Sequence, residues 1–264
     1  MNLMMLLEMA AQGFGERVGI QHGDERLTYA ELFTLAGGAA RVAQQAGAER
    51  IALLDVSSPA VPVALFGSAW VGKPFVPLNY RLTDPEIEAL AAQIAPALLV
   101  TQAERVAALS RIPGLRAISR EAFLAQARAA AAPDDSWPMD PDEIAILLFT
   151  SGTTGAPKGA IIRHKHLVSY ILGSVEFMSA EESDAALVSV PPYHIAGMSA
   201  LCSSVYSGRR IVQLPSFSPE EWLRLARQEK VSYAFVVPTM LGRIADAIGE
   251  RGTADIPSLR ALAY

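Results

Sequence analysis

Residues 150–159 read Thr-Ser-Gly-Thr-Thr-Gly-Ala-Pro-Lys-Gly, placing four hydroxyls, three glycines and one lysine in ten positions with no acidic side chain. Glycines reach backbone angles closed to other residues and let a ligand approach the main chain. Consecutive N–H groups in such a turn form a concave nest for an anion. The hydroxyls of Thr150, Ser151, Thr153 and Thr154 add hydrogen bonds, and Lys158 adds a mobile point charge. The guest this chemistry suits is a polyphosphate. A Walker A loop requires its lysine directly after the second glycine and Ser or Thr directly after the lysine. Here Gly152 and Gly155 stand too close together and Gly159 follows Lys158, so a simple P-loop nucleotide hydrolase is disfavoured. The plain alternative is an exposed glycine-rich hairpin, against which the four hydroxyls and the missing acid count.

The loop needs a rigid mount. The apolar run 144–149 suits a strand buried on both faces, and 160–162 resumes a strand beyond the loop. Upstream, the pattern predicts a helix over 1–12, a short hairpin over 18–28, and a helix to about 46 opened by a Thr28/Glu31 capping box and stopped at Gly47. A strand over 50–56, a helix to about 71, a strand over 75–79, a helix from a Thr83/Glu86 capping box to about 95 and a strand over 97–101 follow. Helices near 102–111 and 119–130 flank a weak strand at 115–118.

Downstream, helices are expected over 165–180, 196–207, 219–228 and, capped by Thr239, to about 248. Strands alternate with them at 185–190, 210–214 and 232–237. Alternation of this kind implies an α/β fold with a mostly parallel sheet covered by helices on both faces. The stretch 130–142, with three prolines and four aspartates, reads as a linker. The division that follows is an α/β subdomain at 1–130, a linker at 131–142 and a second α/β part at 143–264. Residues 258–264 look like a strand that begins without its continuation, which reads as a piece of a longer protein.

Composition narrows the function classes. The 264 residues are 51% hydrophobic and 19% charged, enough for a packed core. A net charge of −5 argues against nucleic acid as a partner. One cysteine, Cys202, leaves no internal disulfide. His164 and His166 could share a strand face, but with no carboxylate or third histidine beside them zinc is disfavoured. No apolar run approaches the ~18 residues that span a bilayer, and the N-terminus lacks the positive region of a signal peptide, so a cytoplasmic location is expected.

The loop and the residues after it, 149–167, closely resemble the phosphate-binding signature of the adenylate-forming superfamily. Its acyl-CoA and aryl-CoA ligase branch is the nearest in kind. Three further segments resemble that family in content and order: 71–83 (VGKPFVPLNYRLT), 191–201 (PPYHIAGMSAL) and 235–241 (FVVPTML). The resemblance covers most of the chain and implies stacked αβαβα layers, here as an incomplete N-terminal large domain. It implies ATP, Mg²⁺ and CoA as co-substrates and a small-molecule carboxylic acid as the substrate. The acid is converted to an acyl-adenylate with release of pyrophosphate and then to a thioester.

By the same resemblance, Thr150, Ser151, Gly152, Thr153, Thr154, Gly155 and Lys158 grip the phosphates. His194 stands at the mouth of the acyl pocket in a catalytic and substrate-binding role, and Pro238 and Thr239 line that pocket. Plainer readings exist beside these: His194 as the first residue of a helix donating to a carbonyl, and Pro238 and Thr239 as simple helix starters. Lys73 reads as a solvated turn residue, and Trp70, Trp137 and Trp222 as packing residues. The sequence departs from the family at 163–166, where Arg-His-Lys-His replaces Thr-His-Arg-Asn and only the histidine matches. The family's ribose-binding aspartate and C-terminal lysine fall beyond Tyr264, so the chain alone is expected to be inactive without a C-terminal region of the same enzyme. A contrasting expectation is a non-catalytic module of the same fold that binds a partner or self-associates as a homo-oligomer.

Overall fold

The computed structural model describes residues 1–150, 158–250 and 252–264, with the side chain of Thr150 also outside the described set. The chain opens with α1 (Met4–Phe14), the hairpin β1 (Val18–His22) and β2 (Glu25–Thr28), then α2 (Tyr29–Gln45). Thr28 caps α2 as expected: its hydroxyl accepts the Glu31 N–H while the Glu31 carboxylate accepts the Thr28 N–H. Next come β3 (Ile51–Leu54), α3 (Ala60–Trp70), β4 (Phe75–Pro77), α4 (Asp84–Ile94), β5 (Ala97–Thr101), α5 (Ala103–Leu109), β6 (Leu115–Ser119) and α6 (Arg120–Ala129). β7 (Ile144–Thr150) and β8 (Lys158–Arg163) bracket the loop. The chain then continues through α7 (His164–Ser174), β9 (Ala185–Val188), α8 (Ile195–Ser207), β10 (Arg210–Gln213), α9 (Pro219–Gln228), β11 (Tyr233–Phe235), α10 (Pro238–Ile248) and β12 (Ala261–Ala263). No helix among the described residues is long and apolar enough to cross a membrane.

The strands form two six-stranded sheets, ordered β12-β11-β9-β10-β1-β2 and β6-β5-β3-β4-β7-β8. Each is parallel except for one antiparallel pair at an edge, β1–β2 in the first and β7–β8 in the second. Alternating side chains show how they stack, because successive strand residues face opposite sides. Ile51 and Leu53 of β3 join the large core shared with α1, α2, α3 and α8, while Ala52 and Leu54 join a separate core with α4. On the other sheet, Ile211 faces the shared core and Val212 faces α9. The layers are therefore α9/α10, sheet, inner helices, sheet, α4/α5, the αβαβα stack that the resemblance implies.

Sheet membership cuts across chain order. β1 and β2 pair into the sheet of the last four strands through β10, and β7 and β8 pair into the sheet of the early strands through β4. The stretch 131–142 carries no regular element, yet it is tied down. Asn2 donates to the carbonyl of Pro138 at 2.8 Å, and Trp137 packs edge-on against Trp70 at 5.2 Å between ring centres. Trp222 is buried as a packing residue. Lys73 is not merely solvated but pairs with Glu49 at 2.6 Å.

Two expected elements differ. The helix expected over 165–180 stops at Ser174, because Val175 turns extended and the turn beyond it, with Met178 at φ 56°, is pinned to the end of α8, Met178 N–H to the Tyr206 carbonyl and Ala180 N–H to the Ser207 carbonyl. In α10 the cap is Val237, not Thr239. Pro238 is preset for the first helical position, so the helix starts two residues earlier than a Thr239 cap would allow.

Close helix approach sets a strict size limit inside the shared core. A methyl group on Gly38 of α2 would sit 1.9 Å from the Ala127 carbonyl oxygen of α6. Gly→Ala in a helix ordinarily stabilises by up to about 1 kcal/mol; here a backbone atom blocks the methyl group and the sign reverses. Gly38→Ala is expected to lower stability by about 1–3 kcal/mol, read as a lower urea midpoint with an unchanged slope.

Candidate active site at the strand ends

In the first sheet the chain reverses direction at β9. It leaves β9 through α8, which packs on the inner core, to β10 on one side. It then leaves β10 through α9, which packs on the outer core, to β11 on the other side of β9. In an open α/β sheet such a switch leaves a crevice at the C-terminal strand ends, where ligands bind. A cavity of ≈ 540 Å³ lies there. Its walls come from the residues following three parallel strands: Ser189, Val190 and Pro191 after β9, Pro215 and Phe217 after β10, and Val237, Thr239 and Met240 after β11. Tyr80 and Arg81, from the turn after β4, close it from the second sheet.

The expected loop is mounted at the same edge. β4 and β7 run parallel, so β7 ends beside the turn that carries Tyr80 and Arg81. Thr150 and Lys158 face each other across the β7–β8 pair, closing the base of the loop. Phe149 and Tyr80 pack against one hydrophobic cluster, which fixes the two segments together. Ser151, Gly152, Thr153, Thr154 and Gly155 lie outside the described residues. Lys158 is exposed at the start of β8.

His194 caps α8 without a side-chain cap bond and lines the cavity. An aromatic chain orients it: Tyr80 meets Tyr193 edge-on at 5.3 Å, and Tyr193 meets the His194 ring at 4.5 Å. Partial desolvation first, and then the Arg81 charge, hold the His194 pKa below its usual range. The ring is therefore neutral at pH 7, with one N–H donor and one bare nitrogen. Thr239 lines the same cavity, whereas Pro238 opens α10 and is not part of its wall. Tyr80, Arg81, Phe217 and Arg243 also reach the cavity and were not singled out by residue type. The signal for the first two is their place in the turn directly after a buried strand; nothing local marks the other two.

A second, more apolar cavity of ≈ 560 Å³ lies across the first turn of α8, between α7, α8 and β11. Ile195 and Ala196 separate the two and line both. Leu167, Tyr170, Ala200 and Phe235 form much of its remaining wall.

Across residues 7–264 the sequence matches the family model described as AMP-binding enzyme. The chain belongs to this family. Among curated relatives, a feruloyl-CoA synthase of an Amycolatopsis species is 35% identical over 250 residues, covering 92% of this chain and 50% of the relative. An indoleacetate–CoA ligase of Aromatoleum aromaticum is 28% identical, covering 92% of this chain and 51% of the relative. The chain thus spans about half the length of the curated relatives it matches. Among solved structures, the inhibitor-bound N-terminal domain of FACL13 from Mycobacterium tuberculosis superposes with a TM-score of 0.85 at 24% identity, over 99% of this chain and 69% of that one. O-succinylbenzoate coenzyme A synthetase of Bacillus subtilis in complex with AMP superposes with a TM-score of 0.80 at 26% identity, over 97% of this chain and 53% of that one.

Neither His164 nor His166 lines the cavity that holds His194, although His166 lines the second one. His164 and His166 sit on the first turn of α7, not on a strand face. His166 Nδ1 accepts the Arg163 N–H at 3.2 Å. His164 is 1% exposed and its Nδ1 accepts the Leu3 N–H at 3.2 Å, so it ties the chain start to the loop-bearing sheet. Burial is the main reason its pKa falls to about 4. Between about pH 4 and 6.5 the unfolded chain takes up a proton at this residue that the folded chain refuses. Stability is therefore expected to be full above pH 6.5 and to fall by about 2–4 kcal/mol as the pH drops to 4. Urea unfolding across that window should show the loss, and His164→Asn, which keeps an acceptor near the Leu3 N–H but cannot charge, should reduce it.

Proposed function

We propose that this chain supplies the phosphate loop, the thiol-side wall and the acyl groove of an AMP-forming acid–CoA ligase. The observation that carries the reading is convergence. Segments 71–83, 191–201 and 235–241, far apart in sequence, meet at one cavity, beside the strands that bear the loop. Its described walls hold two guanidiniums and a neutral imidazole and no carboxylate, a surface for anionic ligands. The names of the relatives, most of them acid–CoA ligases or synthases and one a fatty acid–acyl-carrier-protein ligase, support the same class of acid–thiol ligases.

In this reading the acid's carboxylate oxygen attacks the α-phosphorus of ATP, forming an acyl–O–P bond as pyrophosphate leaves. The thiol sulfur then attacks the acyl carbon and AMP departs. The chain's part is to position groups and offset charge. Thr150 to Gly155 and Lys158 hold the departing pyrophosphate. Mg²⁺ enters bound to the ATP phosphates, and no described residue is assigned to it. Neutral His194 donates its N–H to the acid's carboxylate, orienting it without the opposing charge that would dull the nucleophile. The acyl group extends past Ile195 and Ala196 into the apolar groove, whose lining favours an aryl or alkyl group over a polar one.

The test is acid-dependent exchange of labelled pyrophosphate into ATP by the complete gene product, across aryl and alkyl acids. Exchange driven by at least one apolar acid is expected; none across the panel would overturn the reading. Lys158→Ala is expected to lower exchange by roughly 10²–10³. His194→Ala should lower it by about tenfold or more, with His194→Gln, which retains an N–H donor, recovering part of the loss.

A further inference from the structure

Gln213 ends β10, and the alternation of the strand turns its side chain inward. Ile211 packs in the shared core and Val212 in the outer one, so residue 213 returns to the inner layer. Its partner in register on β9, Val188, is apolar and belongs to that shared core. The glutamine is 2% exposed. Its Nε2 donates to the Ser58 carbonyl at 2.8 Å, a buried bond from the first sheet to the segment that follows β3 in the second. Its Oε1 has no partner among the described residues. Such a group contributes little net stability: one bond is gained, while an acceptor stripped of water is left unmet. The Ser58 carbonyl does not depend on it, since it also accepts the Val61 N–H at 3.0 Å. An apolar side chain of similar volume would stabilise this layer as well or better. Stability therefore does not explain the amide, whereas its position between the sheets does.

Both ends of the bond lead to the cavity at the strand ends. On one side, the Leu214 N–H continues the ladder to the Val188 carbonyl at 3.1 Å, and Pro215 and Phe217 just beyond are cavity wall. On the other, Ser58 follows β3, and the Leu53 carbonyl of β3 accepts the Leu78 N–H at 2.8 Å, just before the turn that carries Tyr80 and Arg81. The two halves of the wall thus belong to different sheets. We propose that Gln213 is a positioning residue: its directional bond to Ser58 sets the spacing of the two sheets at the edge where the site lies. The chemical consequence rests on the ligase reading. There the loop that holds the ATP phosphates is mounted on β7 and β8 of the second sheet, and His194, which orients the attacking carboxylate, follows β9 of the first. The gap between the carboxylate oxygen and the α-phosphorus is then a gap between sheets, and a misplacement of about 1 Å there can cost roughly 10² in rate. The grip on the ATP phosphates, made by one sheet, is spared.

The test substitutions are Gln213→Met and Gln213→Leu, which remove the bond and keep an apolar fill of similar size. In the complete gene product, the maximal rate of acid-dependent pyrophosphate exchange is expected to fall by about 10- to 100-fold in both. The KM for ATP should stay within about twofold, since an interaction felt only in the reacting geometry lowers kcat and not ground-state binding. The thermal midpoint should stay level or rise. A glutamine with a merely structural role predicts the reverse, a lower midpoint and a rate reduced only as folded protein is lost. That pattern, or a full exchange rate in either variant, rules the proposal out. Hydrogen–deuterium exchange reads the bridge without turnover: in Gln213→Met, peptides containing 56–61 and 213–218 should exchange faster while those of α2 and α9 do not change. Unchanged protection at both segments would sink the bridge whatever the activity. If the unsubstituted protein exchanges no pyrophosphate, the ligase reading falls, and the difference in protection then decides whether Gln213 spaces the sheets.

Discussion

All eleven residues of α3 are buried, and that constraint shapes the whole molecule. A helix apolar on every side cannot rest on one sheet with a face to water; it needs covers all round. β3 and β4 cover it on one side, α2 on another, and α1 and α6 close the remainder. The first sheet lies beyond α2, which β1 contacts directly. Close crossings make this possible: Gly67 of α3 meets Ala39 of α2, and a Cβ there would approach the Ala39 methyl to 2.8 Å. Two sheets around one inner helical layer are the consequence, and neither sheet could be removed without exposing α2 and α3.

Stacking the sheets in this way brings their C-terminal edges to one place. Parallel strands end on the same side of a sheet, and parallel order holds from β4 to β7 and across β9, β10 and β11. The turn after β4 therefore meets the turns after β9 and β11. Tyr80 against Tyr193 is the visible seam between the two sheets at that edge. The site thus depends on packing far from it. Chemistry-bearing residues lie on short turns, while the inner helices keep those turns in register.

Much of this was legible locally. The alternation of apolar runs with capped helices marked nearly every element, and Thr28 with Glu31 marked the start of α2 to the residue. The loop's composition pointed to an anion, and its neighbours pointed to the family. Pairing of β1 with β10, nearly two hundred residues later, left no local mark, since a two-residue period says which face is buried but not against what. The end of α7 was equally hidden: residues 175–180 have helical composition, and their turn is held by hydrogen bonds to the carbonyls of Tyr206 and Ser207. Thr239 looked like a cap because threonine favours that position, and Pro238 overrode it. Arg243 was invisible for a different reason. An arginine on an exposed helix face carries no local mark, and its place on the cavity wall follows only from how α10 packs beside the strand ends.

Charge placement fits the anionic ligands proposed for an acidic chain. A net charge of −5 repels a polyanion at long range, but screening confines that field to roughly 8–10 Å at physiological salt. Within that distance the cavity wall is cationic. Arg81 acts twice there. It adds positive potential, and the same potential helps to keep His194 from taking a proton. A protonated His194 would bind a carboxylate more tightly and also lower its nucleophilicity, whereas a neutral ring orients the group and leaves its charge to the reaction. In the proposed reaction attraction and alignment are therefore separate tasks: Arg81 adds positive potential, and His194, kept neutral first by partial burial and then by Arg81, orients the carboxylate.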